Sequence, residues 1–184
     1  SDNPGGGAPS DATFLLRAIL ERRIDNVATG IFWDPVALRM CREAGEGAML
    51  DLRLGGKCGP MSGDPLDLRV TVRRLASGLT QRFGELPVSI GDAAWIETEG
   101  VDIVVNDTRT QTFHPDVFTG LGIPLDARRI VCVKSSNHYQ AGFRPIAARI
   151  IPVATPGAIT PDFSSIPYRH RSRDYFPAVE DPLG

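Results

Sequence analysis

Three polar segments of the sequence combine residue types from which ligand sites are built. The first is Lys134-Ser135-Ser136-Asn137-His138, which sets a cation, two hydroxyls, an amide and an imidazole side by side. It follows the apolar run 130–133, which reads as a short buried strand, and it precedes a stretch with helical character. Ligands of open α/β sheets lie beyond the carboxyl ends of strands. A helix start adds outward-pointing backbone N–H groups. Lys134 and His138 are therefore the catalytic candidates, and Ser135 and Ser136 candidate substrate contacts. The plainer reading is helix capping by Ser136 or Asn137, with Lys134 solvated.

The second segment, Asn106-Asp107-Thr108-Arg109-Thr110-Gln111, leaves a predicted strand over 101–105 in the same way and nominates Arg109 and Gln111. The third opens the chain: Asp2-Asn3-Pro4-Gly5-Gly6-Gly7. Consecutive glycines ahead of a helix let the backbone approach an anion or a substrate carboxylate. Asp2, Asn3, Gly5, Gly6 and Gly7 are accordingly candidate substrate-binding residues, against the alternative of a simple turn. No Gly-Lys-Ser/Thr follows, so the loop is not a P-loop. Ser10 stands where the dinucleotide fingerprint needs a third glycine or alanine. Such loops normally follow a strand, which implies a preceding segment in a longer protein.

Other chemistries find little support. His114, His138 and His170 are widely spaced and no H-E-x-x-H occurs, so a self-contained metal site is not expected. His114 and Asp116 have ligand chemistry, but a surface loop before Pro115 explains them equally. There is no G-x-S-x-G, and Ser135 or Ser136 has only His138 nearby in sequence. Cys41, Cys58 and Cys132 are far apart without C-x-x-C spacing, which points to reduced thiols in a cytoplasmic protein. Arg169, Arg171 and Arg173 alternate beside Tyr168 and His170, where salt bridging to a partner domain is the better reading.

These segments need a scaffold. Ser10 is a predicted helix cap, with Asp11 in the first turn and Ala12, Leu15, Leu16 and Ile19 on the apolar face. Strand 27–33 follows, and Asp34-Pro35 starts a second helix that stops near Gly45. Strands are expected at 49–54, 66–73, 93–98, 101–105 and 130–133, with a last one at 150–153. A short helix suits 115–122, and a bent one 138–149. The order argues for an α/β fold: a mixed sheet with flanking helices and α+β character in the central hairpin region. Residues 1–159 form this domain. Residues 160–184, rich in Pro, Ser, Arg and Asp, are expected to be an extended tail packed on a neighbouring domain or subunit.

Composition sets the limits. With 184 residues, 42% of them hydrophobic, there is enough chain for one core. A net charge of −2 offers no general attraction to nucleic acid or anionic membranes. No apolar run approaches the ~20 residues of a membrane helix.

Taken in order, Asp2-Asn3-Pro4-Gly5-Gly6-Gly7-Ala8-Pro9, Leu54-Gly55-Gly56-Lys57, Gln111-Thr112-Phe113, Val133-Lys134-Ser135-Ser136 with His138, and Pro167-Tyr168-Arg169 resemble the C-terminal domain of the MlrC-type, microcystinase C-like metallopeptidases. The resemblance covers nearly the whole chain. Tyr139 and His114 depart from it, standing where phenylalanine and aspartate are usual. The resemblance implies a zinc-dependent hydrolase of peptide or amide bonds. It also implies that an N-terminal domain outside this chain holds the zinc, so no residue here is carried over as a ligand. The glycine loop and the Lys134–His138 segment would line the cleft facing that metal. Two other readings stay open: a non-catalytic scaffold or homodimerisation domain, and a protein that binds small anions without hydrolysis.

Overall fold

The run Val27–Trp33 (β1) is buried along almost its whole length, as is Val101–Asn106 (β5). Strands buried along their whole length belong in the middle of a sheet covered on both faces. β1 lies between β5 and Ile130–Val133 (β6), parallel to both. On the far side of β5 the sheet turns antiparallel through Leu86–Thr98 (β4), Leu66–Phe83 (β3) and Met49–Leu54 (β2). The order is β2-β3-β4-β5-β1-β6, a mixed six-stranded α/β sheet. This computed structural model describes residues 2–182 apart from 161, 171, 173 and 177.

Side-chain alternation divides the core in two. On one face, Val101, Ile103 and Val105 of β5 join Leu16 and Ile19 from Phe14–Glu21 (α1) and Leu38 and Cys41 from Pro35–Ala44 (α2). On the other, Val104 joins Val117 and Phe118 from Asp116–Thr119 (α3) and Phe143 from Gln140–Phe143 (α4). Pro35 and Asp34 start α2 as the sequence indicates, Asp34 accepting from the Ala37 amide at 3.1 Å.

Four expectations are corrected. Ser10 does not cap a helix: it sits at φ +70°, buried, donating to the Ile31 carbonyl, and α1 begins only at Phe14. Asp11 consequently lies outside the helix. The strands expected at 66–73 and 93–98 are the inner parts of β3 and β4, which continue outward as a two-stranded arm closed at Gly84-Glu85. Register shifts at Val72/Arg74, Ala76/Leu79 and Leu79/Thr80 break the alternation there, which hid the arm. The helix over 138–149 is reduced to one turn ahead of Pro145, whose ring removes a donor. Residues 150–153 form no strand, and Ile151 and Val153 are exposed.

Within the tail, the turn Phe163–Ser165 is the regular element among the described residues. Ile159, Ile166 and Pro167 line an apolar groove with Phe14, Pro60 and Met61. Arg171 and Arg173 lie outside the described residues. Among the described residues, no helix is long and apolar enough to cross a membrane.

Candidate functional site

The chain's first residues return to the carboxyl end of β6, where Asp2 is the knot. Its Oδ1 accepts from the Ser10 amide at 2.8 Å, and its Oδ2 from the Ala12 amide at 2.8 Å and from Lys134 Nζ at 2.5 Å. Lys134 also donates to the Ala12 carbonyl at 2.8 Å and lies 3.9 Å from the centre of the Phe32 ring. The two side chains are only 11% and 9% exposed, so the charges depend on each other. Burial pulls the Lys134 ammonium below its ordinary pKa, while the nearby Asp2 and Asp11 charges oppose that pull.

Asn3 makes the second tie. Its Oδ1 accepts from the Gly5 amide and its Nδ2 donates to Ser136 Oγ at 2.6 Å. The other glycine amides turn inward too: Gly6 donates to the Asn3 carbonyl at 3.0 Å and Gly7 to that of Pro4 at 2.9 Å. The glycines thus shape the loop, and their amides are already donated within it. Gly5 is needed for close approach, since a Cβ there would overlap the side-chain amide of Gln111.

Gln111, buried, links the loop to the imidazole. Its Oε1 accepts from Ser135 Oγ at 3.1 Å and lies 3.3 Å from His138 Nδ1. The His138 side chain is exposed. Next in sequence, Thr112 Oγ1 donates to the Gly30 carbonyl and accepts from the Ile31 amide, bracketing the cis Gly30–Ile31 peptide of β1. Arg109 stacks instead on Trp33, its guanidinium 3.9 Å above the ring.

The structure therefore gathers Asp2, Asn3, Gly5, Gln111, Lys134, Ser135, Ser136 and His138 by direct contacts, while Arg109 stacks on Trp33. It adds residues that sequence reasoning missed. Gln81 of β3, fully buried, donates to the Gln111 carbonyl at 2.6 Å and accepts from the Phe113 and His114 amides at 2.7 and 3.2 Å. Nothing in the sequence marks it, because the arm carrying it was not foreseen. A second polar cluster lies beneath Gly55-Gly56-Lys57. Asp34 Oδ2 accepts from the Gly55 amide at 2.9 Å and from Lys57 Nζ at 2.6 Å. Asp11 accepts from Ser62 Oγ at 2.5 Å and from the Lys57 and Cys58 amides at 2.7 and 2.9 Å. Burial would raise the Asp11 pKa, but these hydrogen bonds together hold it below the ordinary carboxylate value.

Among the described residues, no group of three or more His, Cys, Asp or Glu side chains is arranged to hold a metal ion. Asp2, Asp11 and Asp34 already accept from ammonium, hydroxyl or amide donors. A metal does not fit these residues.

A mixed sheet with a polar loop cluster at the carboxyl ends of its parallel strands places the chain in the α/β class, whose ligands bind at that end. The family model for the MlrC C-terminus matches residues 1–170, and the chain belongs to that family. Microcystinase C from Sphingomonas sp is 40% identical over 178 residues, which cover 96% of this chain and 34% of that protein. The crystal structure of a "putative metallopeptidase" from Mesorhizobium sp. BNC1 shares the fold with a TM-score of 0.78 and 30% identity, over 85% of this chain and 32% of that one. The chain spans about a third of the length of these relatives.

Proposed function

We propose that this chain forms one wall of the active cleft of a zinc-dependent, metallopeptidase-like hydrolase of peptide or amide bonds. On this reading an N-terminal domain of the same protein holds the metal, as the resemblance to the MlrC family implies, and the lack of a fitting ligand group among the described residues agrees with that. The observation that carries the reading is the convergence of the glycine loop, Gln111 and the Lys134–His138 segment at the carboxyl end of the parallel strands. The names of the two relatives support a hydrolase.

The roles divide by exposure. With Nδ1 protonated and donating to Gln111 Oε1, the exposed His138 keeps its Nε2 lone pair to accept a proton or a substrate N–H. Ser136 Oγ accepts from Asn3, which leaves its own O–H for a substrate carbonyl. Lys134 acts through Asp2: its buried charge fixes the loop against β6. The experiment is peptide hydrolysis by the full-length protein. General acid–base assistance is worth about 10²–10⁴-fold, so His138→Ala is expected to lower kcat/KM by about 10²-fold or more at unchanged metal content. Intact hydrolysis in both His138→Ala and Lys134→Ala variants would refute the reading.

The inward-turned glycine amides and the paired Lys134 favour a second reading, a scaffold that supports the metal domain or a homodimer. On that reading, the same substitutions lower the unfolding midpoint while kcat/KM of the folded protein stays at the wild-type value.

A further inference from the structure

The outer arm of β3 and β4 does more than enlarge the sheet. Gln81 on one of its faces clamps the Gln111–His114 segment by three hydrogen bonds. Phe83, two residues on and therefore on the same face, reaches the site itself. Its ring lies 4.7 Å from that of Phe113 and 5.3 Å from that of His138, and the Phe113 and His138 rings are 5.9 Å apart. Leu86 is directly opposite Phe83 across the hairpin, so the two share that face. Gly84, at φ +61°, makes the tight turn between them.

This tip is apolar and open. Phe83 is 43% exposed and Leu86 67% exposed, beside the exposed imidazole. Arg82, on the other face of the strand, is paired with Asp116 at 3.1 Å and brings no free charge to this one. Phe83, Leu86 and Phe113 thus adjoin a polar cluster, and ligand sites are lined by such a mixture of apolar side chains with a few polar groups. The patch continues directly from the Gln111–His138 contact, so the occupant is a part of whatever His138 meets.

We infer that Phe83, Leu86 and Phe113 form an apolar subsite that takes an aliphatic or aromatic side chain of the substrate, next to the bond that His138 serves. This rests on the hydrolase reading of the same site. One hydrophobic contact discriminates by about 10–200-fold in kcat/KM.

The test has two arms, both on the full-length protein. In the first, short peptides matched except for Leu, Phe, Asp or Lys beside the scissile bond are compared. The expected preference for Leu and Phe is about tenfold, falling to within about twofold in Phe83→Ala, retained in Phe83→Leu and in the turn variant Glu85→Ala. Being a ratio between substrates, it does not depend on the folded fraction. In the second arm, N-acetyl-leucine amide and N-acetyl-aspartate amide are titrated while the His138 ring signal is followed by NMR, assigned with His138→Gln. The leucine compound is expected to move the signal at concentrations several-fold lower than the aspartate compound, and Phe83→Ala to abolish the difference. Hydrolysis without side-chain preference, or a preference that survives Phe83→Ala, overturns the subsite and leaves the hydrolase reading standing. No hydrolysis, with the leucine-dependent shift of His138 present and lost in Phe83→Ala, overturns the hydrolase reading and leaves the subsite. A His138 signal that ignores both compounds overturns the subsite.

Discussion

Replacing Lys134 by methionine removes the ammonium but keeps an apolar stem against Phe32. Asp2 is then left 9% exposed with two backbone amides and no cation. Breaking a buried pair from one side costs 3–5 kcal/mol. The two remaining amide bonds place this case at the low end, about 3 kcal/mol. Asp2→Asn in the same background removes the orphaned charge, and the amide oxygen can still accept one of the two N–H groups. The double variant is therefore expected to recover part of the loss, with a coupling energy of about 1–3 kcal/mol. Urea denaturation of wild type, both single variants and the double variant completes the cycle. If Lys134→Met costs less than about 1 kcal/mol, or if the two changes simply add, Lys134 is not the counter-charge that holds the loop.

Gly5→Ala and Gly7→Ala separate close packing from backbone strain. Ala at 5 must displace the Gln111 amide that holds Ser135 and His138, a loss of about 1–3 kcal/mol for two neutral hydrogen bonds, with a fall in hydrolysis. Ala at 7 meets only its own φ of +97°, about 1–2 kcal/mol, and leaves the site intact, so equal activities would contradict the packing argument. Gln81→Leu leaves the Phe113 and His114 amides without their side-chain acceptor and should destabilise by at least about 2 kcal/mol in thermal unfolding. The depressed Asp11 pKa means that the unfolded chain binds more protons between the folded value and about 4, so stability rises with pH through that window and is lost below it. Asp11→Asn should flatten that part of the stability–pH curve. Burial pushes Cys41 and Cys132 up to about 11; burial and Asp11 also raise Cys58, but it is the exposed thiol, so a thiol reagent at pH 8 should modify it before either.

Much was decided by the sequence alone. The largely apolar runs of β1 and β5 mark them as strands, although Thr29 and Asp102 interrupt them and the sequence does not say that they lie inside the sheet. Asp34-Pro35 starts a helix by local chemistry. The polar runs after β5 and β6 follow from where apolar sequence stops. The ordered motifs likewise carry the family. What the sequence does not contain is the partner of each polar group. Lys134 reads as a solvated cation or a catalytic one, and only the pairing of residues 132 positions apart in the chain makes it a buried counter-charge for Asp2. Ser10 has the composition of a cap, yet the fold spends its hydroxyl on Ile31. The β3–β4 arm escaped because its register shifts destroy the alternation that marks a strand, and with it went Gln81 and Phe83. The glycine loop shows the division most clearly. Its flexibility is a local property, but the reason for Gly5 is the Gln111 amide that tertiary packing brings against it.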